Sequence, residues 1–124
     1  MALGSALEIS EKEWQAQVIG LAKQLGWRGA YHTFDSRRST SGFPDLVLVR
    51  ERVVYIELKS EVGKVSPSQR QWLRWLLDAG AEAYVARPRD LEAVGVILGP
   101  AARLSDLAQI GPQVLRERTL AEIG

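Results

Sequence analysis

At 124 residues the chain has room for one domain with one hydrophobic core, and its 46% hydrophobic and 25% charged content is that of an ordinary globular protein. A net charge of +1 gives no overall basicity, so any nucleic-acid-binding surface must be local. The lack of cysteine excludes disulfides and thiolate metal sites, and a single His excludes a zinc cage; with no membrane-length apolar run and no charged-then-apolar N-terminus, a cytoplasmic protein is expected.

Residues 1–9 are small and mixed and read as an N-terminal arm. Ser10 followed by Glu13 is a capping box opening a helix that runs to about Leu25, where Gly26 stops it. Its apolar stripe is Trp14, Val18, Leu21, Ala22 and Leu25. Glu11 and Gln15, one turn apart, lie together beside that stripe. Each also fits an ordinary role, Glu11 as a solvated helix residue and Gln15 as an amide at the core edge.

Arg28 to Phe34 reads as the first strand, with Tyr31 in the core. Asp35 to Gly42 follows as a polar loop. Within it Arg37 and Arg38, flanked by Ser36 and Ser39, have the chemistry of phosphate ligands, although a solvated loop has the same composition. His32 and Asp35 stand at the start of this loop as accessory candidates. A Ser36–His32–Asp35 hydrolase triad is excluded, because residues so close along one strand and loop do not reach triad geometry.

Leu46–Val49 and Val53–Leu58 are short apolar runs joined by Arg50, Glu51 and Arg52, and predict a hairpin of two largely buried strands. Buried strands ordinarily exclude charge. Yet Asp45 opens the first strand, and Glu57 and Lys59 close the second. Antiparallel pairing sets these ends side by side, and Glu57 and Lys59 share a face while Leu58 points into the core. Neighbouring carboxylates repel unless a proton or cation lies between them, and oxygen donors suit Mg²⁺ or Mn²⁺.

Ser60 to Val65 is a polar loop in which Lys64 is a candidate phosphate contact. Ser66 and Pro67 read as N-cap and first residue of a second helix that ends at about Ala79 before Gly80. Gln69, Trp72, Leu73 and Leu76 form the face that packs on the sheet, with Gln69 in the first turn, toward the acidic end. Trp75 leaves that stripe and hints at a subunit contact. Ala81–Ala86 is a further strand, with Ala83 and Val85 alternating against Glu82 and Tyr84. Asp90 caps a short helix through Leu98, and Gly99-Pro100 breaks it. A helical turn over Ser105–Ile110 and an amphipathic helix from Pro112 to Ile123 complete a C-terminal extension over residues 99–124. This extension either covers the domain or builds a dimer contact.

Pro44-Asp45 followed by Glu57-Leu58-Lys59 resembles the PD-(D/E)xK phosphodiesterase motif. The wider series Gly42-Phe43-Pro44-Asp45-Leu46, Glu57-Leu58-Lys59, Ser66-Pro67-Ser68-Gln69, Trp72-Leu73, Ala79-Gly80-Ala81 and Arg87-Pro88 is similar to the virus-type replication-repair nuclease (VRR-NUC) domain. The resemblance runs from about Ser10 to Leu91, within a nuclease-like domain of residues 10–98. It implies an acidic or amide ligand from the first helix, Gln15 first and Glu11 second, and a site role for Gln69. It also implies a homodimer that cuts branched DNA such as Holliday junctions.

The element order predicts an α/β, restriction-endonuclease-like core: a mixed central β-sheet flanked by helices, the second helix crossing over to a parallel strand. The leading expectation is an Mg²⁺- or Mn²⁺-dependent DNA endonuclease. In it Asp45, Glu57 and the Leu58 carbonyl hold metal, and Lys59 orients or deprotonates the attacking water. Arg37 and Arg38, with Ser39 and Lys64, grip the phosphates. The rivals are a flap, single-strand, nicking or restriction-type nuclease, and a DNA-binding module that no longer cuts. A structural protein with a buried ion-paired cluster is a third, though such clusters add little stability.

Overall fold

The Ser10 hydroxyl accepts from the Glu13 N–H, and the Ser10 N–H donates to the Glu13 carboxylate, both at 3.0 Å; this box opens α1 (Glu11–Gln24). A computed structural model describes residues 9–32, 41–100 and 107–124. Four strands, β1 (Arg28–His32), β2 (Leu46–Val49), β3 (Val53–Leu58) and β4 (Glu82–Ala86), lie side by side in chain order. β1–β2 and β2–β3 are antiparallel and β3–β4 is parallel, reached through α2 (Pro67–Asp78). The result is the mixed α/β sheet that the element order predicts.

Alternation along the strands builds a core on each face of the sheet. Leu46, Leu48, Val54, Ile56 and Leu58 enter the larger cluster, against Trp14, Val18 and Ala22 of α1 and Val94, Ile97 and Leu98 of α3 (Leu91–Leu98). Ala83 and Val85 join Leu73 of α2 and Val65 in the smaller one, with Tyr55, Leu76 and Leu77 packed against it. The Trp14 indole N–H reaches the Ala86 carbonyl at 2.9 Å, which ties α1 to the end of β4.

α4 (Leu107–Ile123) crosses the outer edge of β4, with Leu115 in the larger core and Ile123 against the smaller. Between them the Thr119 hydroxyl accepts from the Val85 N–H at 3.0 Å, so a donor on the sheet edge is paired rather than exposed.

At the hairpin turn, Arg50 lies over the Trp27 ring at 4.4 Å and Arg52 at 5.2 Å. Arg50 donates to the carbonyls of Leu25, Leu98 and Gly99, and Arg52 donates to Ile97. These cations satisfy the open carbonyls where α1 and α3 end. They lock the end of the sheet opposite the acidic residues.

β4 alternates between the two cores: Ala83 and Val85 enter the smaller one and Tyr84 the larger, where its hydroxyl donates to Glu82. Two expectations need correction. Asp90 stands at the N-cap position of α3, but its side chain makes no cap bond there: the carboxylate turns back to accept from the Arg87 N–H and to pair with Arg118. Pro112 does not start the last helix but lies inside α4, which begins at Leu107. The adjacent Gly111 lets this part of α4 pack closely on α3, since a Cβ there would lie 2.8 Å from Val96. Among the described residues no helix is long and apolar enough to cross a membrane.

Candidate active site

The open end of the β2–β3 hairpin gathers the charged residues that the strands otherwise exclude. Leu46 pairs with Ile56, which sets Asp45 just ahead of β2 beside Glu57 at the end of β3. Asp45 Oδ2 accepts the Leu58 N–H at 3.0 Å, so its carboxylate is fixed across the strand end. Glu57 is 1% exposed. Its Oε2 accepts from Gln69 Nε2 at 2.9 Å and lies 4.0 Å from Lys59 Nζ. Its Oε1 is buried and has no hydrogen-bond partner among the described residues.

Burial, followed by the charge of Asp45, pushes the Glu57 carboxyl up to about 9, against the opposing pull of Lys59. Glu11 adds a smaller push in the same direction, which brings the first turn of α1 within electrostatic reach of the site. Gln15 lies half-buried one turn further along α1. A proton or a cation therefore belongs at Glu57.

The residues fit a hard divalent cation. Glu57 Oε1 is an oxygen donor kept dry and unpaired, and Asp45 supplies a second carboxylate beside it. Among the described residues no group of three His, Cys, Asp or Glu side chains converges. An ion held there would draw its other oxygens from the Leu58 carbonyl, a first-helix side chain, water or substrate, a mixed set that suits Mg²⁺ or Mn²⁺.

Gln69 is placed by the way α2 begins. Its Oε1 accepts from the Ser66 N–H at 2.8 Å while the Ser66 hydroxyl accepts from the Gln69 N–H at 3.2 Å, a capping box. With its carbonyl oxygen held, the amide can only present Nε2 to Glu57. Gly42, at φ +85°, lets the chain pass over this turn, because a Cβ there would lie 2.5 Å from the Ser68 backbone. The step from Gly42 to Asp45 is thereby locked to the start of α2.

The structure thus brings Asp45, Glu57, Lys59 and Gln69 together with the first turn of α1. His32 ends β1 paired with Leu46, one residue from Asp45. Lys64 is exposed on the loop between β3 and α2. Asp35, Arg37, Arg38 and Ser39 lie outside the described residues.

Sequence reasoning missed a second polar centre. Arg87 is 6% exposed at the end of β4, and its guanidinium donates to the carbonyls of Ser60, Glu61 and Gly63, the loop that follows Lys59. Glu122 of α4 pairs with it at 2.6 Å. The signal for Arg87 was a cation directly after the buried run Ala83–Ala86; nothing in the sequence singles out Glu122.

A family model described as VRR-NUC domain matches residues 7–90. No curated protein and no solved structure matches the chain.

Proposed function

Because the chain belongs to the VRR-NUC family and is therefore a nuclease domain, we propose that it is a cytoplasmic, Mg²⁺- or Mn²⁺-dependent endonuclease acting on branched DNA such as Holliday junctions. The observation that carries the metal dependence is the buried, unpartnered Glu57 Oε1 beside Asp45. A cation bound by Asp45, Glu57 and the Leu58 carbonyl supplies positive charge to the scissile phosphate and acidifies water.

The chain's own residues do the rest. Asp45 and Glu57 would hold the ion, Glu57 giving up the proton it carries in the metal-free site. Lys59, 4.0 Å from Glu57 and mostly covered, orients the attacking water and meets the charge that grows on the phosphate. Gln69 fixes the Glu57 carboxylate so that Oε1 stays turned to the site. Arg37, Arg38, Ser39 and Lys64 are the proposed ligands of the flanking phosphates, and His32 and Asp35 the proposed accessory groups. Two copies of the chain, each with one site, suit a four-way junction with its own two-fold symmetry.

The test is cleavage of labelled four-way junction, flap, blunt duplex and single-stranded DNA with Mg²⁺, Mn²⁺ or EDTA, beside Asp45→Ala and Lys59→Ala. Cutting of branched DNA that needs metal and both side chains is expected. Full cutting by Asp45→Ala, or in EDTA, would refute the metal site.

A further inference from the structure

Beside this site runs a row of aromatic rings that neither the catalytic residues nor the core requires. Phe43 meets Trp72 edge-to-face with centroids 5.2 Å apart, and Trp72 meets Trp75 in the same way at 5.2 Å. Tyr55 backs Phe43 at 6.1 Å. The row starts at the site: Phe43 is two residues before Asp45, and Trp72 is one turn after Gln69, which holds Glu57. It ends in Trp75, which is 53% exposed.

We propose that Phe43, Trp72 and Trp75 form a stacking platform for unpaired bases of the DNA substrate, so that the nuclease engages DNA where strands separate. The inference rests on the nuclease reading above and specifies which part of a branched substrate this face takes. Edge-to-face contacts leave ring faces for a base to cover, and stacking tolerates any base because every base has a π-face. The flank of α2 suits a strand as well. The first turn of α2 holds no acidic residue, and the adjacent face of the helix carries Arg70 and Arg74, the latter pairing with Asp78 only loosely at 3.8 Å. A strand stacked on the rings would run along the row toward Asp45, with the cations of the adjacent helix face adding long-range attraction.

A subunit contact is the competing use of an exposed tryptophan, and the surface argues against it here. Among the described residues, the other exposed large apolar side chains are Val49, Val53, Val62 and Leu91. Val49 and Val53 flank the hairpin turn at the far end of the sheet, Val62 is in the loop after β3, and Leu91 starts α3. Along α2, Trp75 is flanked by the exposed polar Gln71 and Asp78 and not by further exposed large apolar side chains, so it lacks the contiguous apolar centre of an interface.

The experiment measures DNA binding in EDTA, where no cleavage occurs, by tryptophan fluorescence and anisotropy. Oligo-dT, a flapped duplex and a blunt duplex are titrated into wild type, Trp75→Ala and Trp75→Tyr. We expect oligo-dT to quench the wild-type emission. Trp75→Ala should lose about tenfold in affinity for oligo-dT and flap, several times more than for blunt duplex, and Trp75→Tyr should recover most of it. Equal losses on all three DNAs, or no loss, overturn the platform, and wild-type cutting in Mn²⁺ then leaves the nuclease reading standing. Conversion of a dimer to a monomer by Trp75→Ala with unchanged DNA affinity overturns it in favour of a subunit contact. Wild-type protein that neither binds nor cuts any DNA removes both readings.

Discussion

Gln69 Nε2 lies 2.9 Å from Glu57 Oε2, and the same amide is held at its other end by the Ser66 N–H at 2.8 Å. A helix cap and an active-site carboxylate therefore share one side chain. Replacement by Glu separates the two duties, since Glu serves a capping box equally well but turns the donor facing Glu57 into a third carboxylate. Gln69→Glu should fold, with a melting temperature that falls as pH rises, and lose about 10²-fold in cleavage rate, by analogy with the loss of an electrostatic or proton-transfer contact. Gln69→Ala should lose about 1 kcal/mol of stability through the cap as well. Wild-type rates for Gln69→Glu would show that Glu57 needs no fixed donor.

The raised Glu57 carboxyl gives the metal-free protein a definite pH dependence. Folded Glu57 keeps its proton up to about 9, whereas an unfolded Glu releases it near 4.5. Between those values the folded state binds the extra proton, so stability is full below about 4.5 and declines as pH rises toward 9. Thermal melts in EDTA should show that decline, and Mn²⁺ should reverse it by taking the proton's place. Metal binding near neutral pH should release protons, which calorimetry in buffers of different ionisation enthalpy detects. A melting temperature in EDTA that rises from pH 6 to 9 would contradict the burial of Glu57 as an unpaired acid.

Glu57→Gln carries the same reasoning into mutagenesis. The neutral amide keeps the shape, and its carbonyl oxygen can still accept from Gln69. It removes the charge that burial and Asp45 oppose. Metal-free Glu57→Gln should be more stable than wild type at pH 8, by about 1–3 kcal/mol, and should not cut. Its pH dependence between 5 and 8 should be flatter in chemical denaturation. Loss of stability at pH 8 would mean that the ionised carboxylate supports the fold.

Gly42 is the tightest steric point near the site. A Cβ there would press on the Ser68 backbone at 2.5 Å, and φ is +85°. Backbone cannot rotate away as a side chain can, so Gly42→Ala must shift either the start of α2 or the approach to Asp45. A loss of about 1–3 kcal/mol and a drop in cleavage rate larger than unfolding accounts for are expected from melts and initial rates. Unchanged melts and rates would mean that the loop ahead of Asp45 bears no load.

How far these relations were legible depended on their range along the chain. The hairpin is local, and its length alone set Asp45 beside Glu57; both capping boxes are three-residue patterns and could be read directly. Gln69 could be placed near the site, but its double bond pattern could not, because it requires knowing how α2 leans on β3. Arg50 and Arg52 looked like turn charges, since the partners that bury them, Trp27 and the ends of α1 and α3, are distant in sequence. α4 was the least legible element. Only its apolar side could be read; Thr119, Arg118 and Glu122 each meet a polar partner on or next to β4, in Val85, Asp90 and Arg87, that no local pattern predicts.

That last contact extends the site's support beyond the residues that match the family. Arg87 gathers three carbonyls of the loop after Lys59 and is neutralised from α4 by Glu122. Removing one partner of a buried pair costs more than the pair contributes, because the other is left buried and charged. Arg87→Met should destabilise strongly, on the order of 3 kcal/mol or more, because three loop carbonyls and Glu122 lose their donor together, while Glu122→Ala leaves Arg87 bonded to those carbonyls and should cost about 1–2 kcal/mol. The sharper readout is hydrogen exchange. In Glu122→Ala the amide of Gly63, bonded to Ser60 at 3.3 Å, should exchange faster, while the amides of β2 and β3 keep their protection. Cleavage should slow through kcat rather than KM, because Lys59 sits at the start of the released loop. Faster exchange spread evenly over the sheet, or none in the loop, would show that α4 stabilises the domain without holding Lys59 in place.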